Sequence, residues 1–232
     1  MNNAVKKILT WCVLPVIIVL LVVAIVASIM KPVNFNKEKD FREGVAIQQM
    51  KDIRTLQVAY KGAKGEFAPV MDSLIEFYNE GNMSIIMQVG STDDSLAMAH
   101  TDAIKKAHRG KITGEEFYKL YQAGDHNLVF AVENKIPVKD TLFVGRENFK
   151  VGDLKYIPFS EGDTVIMESV VKLVSGVNVP LFEAKMPYRS LLKGMDNQLR
   201  INLDADRRDM NKYEGLQVGS VTAPNNNAGN WE

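Results

Sequence analysis

Three aspartates near the C-terminus, Asp204, Asp206 and Asp209, form the one notable cluster of carboxylates in the sequence. Carboxylate oxygens are preferred ligands of Ca²⁺, but an EF-hand loop also needs a glycine and a closing glutamate at fixed positions, and these do not follow here. Arg207 and Arg208 offset the charge of the cluster. We therefore interpret it as a solvated, salt-bridged turn, and we predict no metal site and no cofactor.

The histidines His100, His108 and His126 are also poorly placed for metal binding. His100 and His108 lie eight residues apart, which is about 12 Å along a helix and too far for two ligands of one ion. The basic residues between 105 and 111 are interpreted as a solvated helix face, with binding to a partner or to lipid headgroups as the alternative. We predict no catalytic residue, and the sequence leaves open whether the protein is an enzyme.

Composition excludes two classes of protein. The 232 residues include 28 basic and 28 acidic side chains, whereas a nucleic-acid-binding protein is usually strongly basic, so no nucleic-acid partner is predicted. The single cysteine is Cys12. The rest of the chain therefore forms no disulfide, and its stability must come from packing or from partners.

The strongest signal lies at residues 8–30, which are 23 consecutive residues without a charge. A helix of this length covers about 35 Å, which is enough to cross a hydrocarbon core of about 30 Å. We predict a single transmembrane helix that contacts the lipid bilayer. The alternatives are a cleaved signal peptide, for which Lys6 and Lys7 would supply the basic start, and a buried helix of a soluble protein.

The flanks of this segment bear on its orientation. The count of Lys and Arg on the two sides does not by itself favour an internal N-terminus, but only residues 1–7 precede the segment. A long following domain is translocated largely regardless of its charge. We predict a short cytoplasmic N-terminus over 1–7 and an exported body, which places the protein in a bacterial inner membrane with its C-terminal domain in the periplasm.

Residues 31–80 are predicted to form a helical stalk or a helical hairpin. Pro32 is expected to end or kink the membrane helix. One apolar face then recurs every three or four residues, at Ala46, Met50, Ile53, Leu56 and Tyr60. This possible interaction face packs either on the chain's own globular domain or, as a short coiled-coil stalk, on another chain. A second short helix is predicted over 70–79.

Residues 81–222 are predicted to form an exported α+β domain with a mainly antiparallel sheet and a helical insertion at 93–125. Its clearest feature is a hairpin of strands 164–174 and 177–186, with Ser175-Gly176 at the turn. Shorter strands are predicted at 84–89, 128–132, 140–144, 199–203 and 216–222. Residues 223–232 are polar and are predicted to form a flexible tail.

Three stretches of the N-terminal third carry a family resemblance. An apolar run at 20–27 is followed by Ala46-Ile-Gln-Gln-Met-Lys-Asp-Ile-Arg-Thr-Leu-Gln-Val-Ala-Tyr60, and then by Gly65-Glu66-Phe67-Ala68 and Asp72-Ser73-Leu74. This order resembles the plan of type IV pilins and type II secretion pseudopilins, which implies a membrane helix that runs into an amphipathic helix covered by a small sheet. The glycine, aromatic residue and glutamate of that family's processing signal do not precede the apolar run, so the family's polymerisation chemistry is not implied. The chain is also similar to single-pass proteins of Bacteroides-type bacteria, which implies a cell-envelope setting.

These features together predict a membrane-anchored envelope protein with a structural or protein-interaction role and no enzymatic activity. Its partner would be another protein or further copies of itself, within a secretion, pilus-like or envelope-assembly system. The alternative is a membrane-tethered hydrolase or ligand-binding module whose site is assembled from distant residues.

Overall fold

The structure is a computed structural model that describes residue 11 and residues 13–232. The predicted cytoplasmic residues 1–7 lie outside the described part, as do residues 8–10 and 12 of the predicted membrane segment. The fold is α+β, as predicted, with a long N-terminal helix, further helices and two small antiparallel sheets. The helices are α1 (Leu14–Lys64), α2 (Met71–Glu80), α3 (Ser95–Ala107), α4 (Gly114–Gln122), α5 (Tyr188–Leu191) and α6 (Asn197–Asp209). The strands are β1 (Asn82–Val89), β2 (Phe130–Pro137), β3 (Ile166–Val174), β4 (Val177–Pro187) and β5 (Gly215–Gly219).

Helix α1 is continuous through Pro32, so the predicted end of the helix at this residue is wrong, while the alternative of a kink there stays a prediction. Proline removes one backbone donor, but its fixed φ is itself helical. The helix has 51 residues, which corresponds to about 75 Å. The apolar stretch and the amphipathic stretch are therefore parts of one helix rather than two.

The chain divides into two compact units, each built from separate segments of the sequence. The first unit contains α1 as far as Arg54, residues 154–168, and residues 183–232. In its sheet, β4 pairs antiparallel with β5 from Glu183 opposite Gly219 to Pro187 opposite Gly215. A side chain at Gly215 would place its Cβ 2.2 Å from the Met186 carbonyl oxygen, so only glycine permits this approach of the two strands.

The second unit contains residues 55–153 and 169–182. Strands β1 and β2 pair antiparallel along eight residues each, and α4 contributes Phe117 to a core shared with Leu128, Phe130 and Val132. The predicted helical insertion is confirmed as α3 and α4. Helix α4 begins with the predicted cap at Thr113, which forms a complete capping box with Glu116.

The predicted hairpin is confirmed as β3 and β4, which are neighbouring strands of one sheet. Its turn has a positive φ at both central residues, 50° at Ser175 and 84° at Gly176. This is the type I′ geometry, whose twist matches that of the flanking strands. The three-stranded sheet has the order β3-β4-β5.

The outer side of β5 is covered by the end of the chain. Asn230 donates its backbone N–H to the Gln217 carbonyl at 2.9 Å and accepts from the Gln217 N–H at 3.1 Å, and Gly229 forms a bridge with Val218. Arg54 also binds the Glu232 carboxylate at 2.6 Å. The polar composition that predicted a flexible tail over 223–232 did not indicate these contacts.

Two strand predictions are wrong. Residues 199–203 lie within helix α6, because Asp196 caps the N–H groups of Gln198 and Leu199 and thereby starts a helix there. Residues 140–144 form the end of a 3₁₀ turn and a bend, in which Phe143 has a φ of 61° that is incompatible with a strand. The strand predicted at 128–132 is shifted towards the C-terminus and reaches Pro137 as β2.

Candidate functional site

Helix α1 exposes an uncharged and mostly apolar surface at its N-terminal end. Every described residue from 13 to 30 is exposed, with Ile17 at 46% and Leu20 at 62%. None of the most apolar stretch is buried within the chain, in contrast to the core helix of a soluble protein. This helix is long and apolar enough to cross a membrane.

The folded body of the first unit begins immediately after this stretch. Lys31 lies 3.6 Å from the Asp196 carboxylate, at the start of α6. Phe35 is 8% exposed and is the first buried residue of α1 within the described chain. Phe35, the first residue in the packed interior, therefore follows Met30 by five positions, or about 7.5 Å of helix.

Arg42 fastens α1 to the end of helix α5. Its Nη1 donates to the carbonyl oxygens of Leu191 at 3.2 Å and Lys193 at 2.9 Å. These carbonyls lie at the C-terminal end of a helix, where backbone acceptors lack helical partners. The same guanidinium donates to Glu38 at 2.8 Å and lies 5.0 Å from the centre of the Phe159 ring, so its charge is compensated on several sides.

Glu43 and Tyr188 form a second polar contact inside the first unit. The Tyr188 hydroxyl donates to Glu43 Oε1 at 2.5 Å and accepts from Arg207 Nη2 at 3.0 Å. Burial, reinforced by the bond to Glu43, raises the pKa of Tyr188. The hydroxyl therefore stays protonated as a donor, and Lys39 at 3.2 Å further neutralises Glu43. This arrangement holds α1 against the rest of the unit rather than activating a nucleophile.

A cleft of about 680 Å³ lies on the first unit, between α6 and the residues that flank β4 and β5. Its charged lining consists of four cations and two carboxylates: Arg189, Arg200, Arg208, Lys212, Asp204 and Glu214. Two internal ion pairs neutralise part of this charge, Arg200 with Asp204 at 2.5 Å and Arg208 with Glu214 at 2.7 Å. The charged lining of the cleft is thus net positive.

Asp204 is the least expected group in this cleft. It is only 7% exposed, and its Oδ1 is buried without a hydrogen-bond partner in the described chain. Burial raises the pKa of the Asp204 carboxyl, against the opposing effect of Arg200. The predicted solvated turn is therefore wrong at this position. Asp204, Asp206 and Asp209 lie on helix α6, and Asp204 is salt-bridged, as predicted, but buried. Tyr213, which also lines the cleft, has a pKa raised to about 12, mainly by burial.

The three histidines lie in the second unit. His100 bonds Asp125 at 2.8 Å, His108 bonds the Ile104 carbonyl at 2.9 Å, and His126 packs on Tyr121. Within the described residues, no three His, Cys, Asp or Glu side chains are grouped closely enough to hold a metal ion.

The predicted interaction face lies in the interior. Ala46, Met50, Ile53 and Leu56 have no exposed surface, and Tyr60 is half-buried. Of the two alternatives, the structure has the one in which this face packs within its own chain. Sequence reasoning missed Arg42, Glu43 and Tyr188, because the partners of the first two lie about 150 residues away and no local pattern marks them.

No protein-family model, curated protein or solved structure matches this chain.

Proposed function

We propose that this protein is a single-pass membrane protein of the cell envelope, anchored in a bacterial inner membrane through residues 8–30. Its role is structural or one of protein interaction, without enzymatic activity, within a secretion, pilus-like or envelope-assembly system. The exposed apolar start of α1 carries this proposal. Burying a valine, leucine or isoleucine side chain stabilises it by about 1.5–3 kcal/mol relative to water, so an exposed stretch built mostly of such residues favours an apolar surrounding.

The use of the polar side chains supports a structural role. The Arg42 guanidinium donates to two backbone carbonyls at the end of α5. The Tyr188 hydroxyl of α5 donates to the Glu43 carboxylate of α1. Lys31 adds an ion pair at the point where the apolar stretch ends. These contacts hold α1 against the other segments of the first unit. A rigid attachment of this kind suits a protein that holds a partner at a fixed position relative to a membrane.

The continuity of α1 supports the envelope-assembly setting. An apolar stretch runs without interruption into a stretch with one buried face, which is the arrangement that the resemblance to pilins and pseudopilins implies. The resemblance does not extend to the processing signal, so the proposal includes no pilus-type polymerisation.

Alkaline carbonate extraction of membranes tests the anchor on the full-length chain. We expect the wild type to remain in the pellet and the variant Leu20→Lys/Val23→Lys to be released, because each lysine at the centre of a membrane helix costs about 2.5–3.5 kcal/mol. The matched control is Val70→Lys/Val144→Lys, since both valines are exposed outside α1, and it should stay in the pellet.

The molecular mass of the product separates the remaining alternatives. A full-length product in the soluble fraction would contradict the anchor. A product shortened by about its first 27 residues would instead identify a cleaved signal peptide.

Reporter fusions at the C-terminus test the orientation. An exported body predicts an active alkaline phosphatase fusion and a dark fusion to green fluorescent protein. The reverse pattern would place the body in the cytoplasm and remove the periplasmic part of the proposal.

A second candidate function is a membrane-tethered ligand-binding module, and the net positive charge of the cleft favours it. Arg189 and Lys212 line the cleft without an ion-pair partner in the described chain, so they would receive an anionic group. Calorimetry with inorganic phosphate as the probe should show millimolar binding that Arg189→Ala abolishes. The absence of any binding heat would remove this candidate.

A further inference from the structure

The cleft on the first unit contains two cations that the fold itself does not use. Arg189 and Lys212 are exposed and have no ion-pair partner in the described chain, whereas the other two cations of the cleft are held in the ion pairs described above. A guanidinium offers a planar fork of donors that matches a phosphate or carboxylate group, and an ammonium adds a compact charge. An anionic group in this cleft would therefore bind Arg189 and Lys212.

The same cleft has an apolar lining that is open to solvent. Ile166 is 49% exposed and Ile201 is 44% exposed, and both line the cleft together with Pro187 and Ala205. A small inorganic anion would leave these side chains in water. A ligand with an apolar body next to its charge would cover them, and the burial of apolar surface is favourable. The cleft therefore suits an anion that is also amphiphilic.

A second cleft, of about 610 Å³, adjoins the first. The two share Ile166, Pro187 and Arg189, so they form one groove that has both a cation and apolar side chains where they meet. Apart from the shared arginine, the charged lining of the second cleft is Asp163 and Lys193, whose charges cancel. The groove therefore offers room beside Arg189 for a ligand body that is longer than a single anion.

The groove begins near the point where the apolar stretch of α1 ends. Lys31 follows Met30 directly, and its Nζ lies 3.6 Å from the carboxylate of Asp196, which is the N-cap of α6. Arg200 and Ile201 line the cleft and follow this cap by four and five positions, or about 6–7.5 Å of helix. The headgroup layer on each side of a hydrocarbon core is about 5–7 Å thick. With α1 anchored up to Met30, the start of α6 lies at the headgroups, and the cleft begins about one helical turn away.

We propose that this groove binds an anionic phospholipid of the membrane in which α1 is anchored. The lipid phosphate accepts hydrogen bonds from Arg189 and Lys212, and the apolar part next to the headgroup covers Ile166 and Ile201. A zwitterionic headgroup also carries a cation, which the two basic side chains would repel, so an anionic headgroup is preferred. This inference rests on the proposed anchor and on the second candidate function, for which it names the class of ligand.

Native mass spectrometry of the full-length protein in a neutral detergent tests the site, with phosphatidylglycerol and phosphatidylcholine as probes. We expect phosphatidylglycerol to bind at least about tenfold more tightly, and Arg189→Gln/Lys212→Gln to remove this preference. The matched control is Lys135→Gln/Lys139→Gln, which removes two positive charges from exposed positions of the second unit and should bind like the wild type. Equal affinity of the wild type for the two lipids, or an equal loss in the two double variants, would overturn the proposal.

The apolar lining provides a test that distinguishes a lipid from a free phosphate. Ile201→Asn should weaken binding of phosphatidylglycerol about three- to tenfold, because it removes about half of an isoleucine side chain's burial. Calorimetric binding of inorganic phosphate should not change in this variant. The control is Leu96→Asn, at an exposed position of α3, which should change neither. Phosphatidylglycerol binding by Ile201→Asn that equals the wild type would overturn the lipid as the ligand.

Failure of this inference and failure of the proposed function give different results. Phosphate binding that depends on Arg189, without any preference for phosphatidylglycerol, would overturn the lipid and leave the ligand-binding module in place. The absence of binding by both probes would remove both. Carbonate extraction reports on the anchor separately, and release of the full-length wild type would remove the membrane as the source of the ligand.

Discussion

Replacing Gln57 with leucine should strongly destabilise the second unit. Gln57 has no exposed surface, and its Nε2 donates to the Ala68 carbonyl at 3.0 Å. Its Oε1 accepts from the Ala68 N–H at 2.9 Å. Ala68 is also fully buried, so the glutamine satisfies both backbone groups of the residue that follows the end of α1 by four positions. Leucine is similar in size but offers neither a donor nor an acceptor.

The expected loss follows from the two orphaned backbone groups. A buried polar group left without a partner costs about 1–3 kcal/mol, so the two together should lower the free energy of unfolding by about 2–6 kcal/mol. The control is Gln122→Leu, at the exposed end of α4, which should change it by less than about 0.5 kcal/mol. Denaturant unfolding of the full-length chain in detergent, followed by circular dichroism, measures both values.

A glutamate at the same position adds a pH dependence with a defined sign. A protonated carboxyl can donate to the Ala68 carbonyl and accept from its N–H, as the amide does, whereas a carboxylate cannot donate. Burial raises the pKa of such a carboxyl in the folded state. Gln57→Glu should therefore approach wild-type stability below about pH 4, the unfolded pKa, and lose stability as the pH rises towards the folded pKa. Stability that rises with pH over this range, or a loss in Gln57→Leu no greater than in Gln122→Leu, would refute the role assigned to Gln57.

Three further outcomes are expected. Thr113→Ala should remove the side-chain cap of α4 and lower stability by about 1 kcal/mol. The backbone N–H and the hydroxyl of Thr113 both lower the pKa of Glu116; because alanine keeps the N–H and loses the hydroxyl, NMR titration should show that pKa returning part of the way upward, and the contribution of these bonds in the wild type should be lost as the pH falls through the lowered pKa. Tyr188→Phe should destabilise the first unit by about 1.5–3 kcal/mol, since it removes a hydrogen bond to the charged Glu43, and an unchanged unfolding midpoint would contradict this contact. Asn230→Ala should increase amide hydrogen exchange at Gln217, and exchange unchanged from wild type would show that the C-terminal segment does not protect β5.

Local patterns predicted those elements whose cause is local. The Ser175-Gly176 pair predicted its hairpin, because a type I′ turn requires two residues with positive φ and the flanking strands follow from it. Thr113 predicted the start of α4, because its side chain caps N–H groups in the first turn of that helix. In each case the deciding interaction lies within four residues.

The error at 199–203 shows how a short pattern can be ambiguous. Apolar residues at 199, 201 and 203 alternate as in a strand, but Leu199 and Leu203 are also one helical turn apart. The i,i+4 contact of Arg200 with Asp204 and the cap at Asp196 favour the helix. Asp196 was visible in the sequence as an N-cap, and a search for caps before strands would have found α6.

The contacts of the candidate site could not be predicted from the sequence, because they join residues that are far apart in it. Arg42 binds carbonyls at 191 and 193, and Glu43 binds Tyr188, over separations of about 150 residues. Nothing near Arg42 in sequence distinguishes it from a solvated charge on an amphipathic helix. The cleft likewise combines Arg189 with groups that follow it by more than ten residues, such as Asp204 and Lys212. Such sites require knowledge of the tertiary fold.

The proposed anchor and the body of the first unit share helix α1, whose burial changes along its length. Up to Met30 the described helix carries no charge and each of its residues is exposed, whereas from Phe35 it buries one face against its own chain. Lys31, which pairs with Asp196, lies between the exposed part of the helix and the part with a buried face. Because α1 continues through Pro32, any tilt that a bilayer would impose on the proposed anchor would pass to the body of the first unit. Changes in the length of the apolar stretch should therefore reposition this body relative to the membrane without altering its stability, and only a break at 31–34 would separate the two effects.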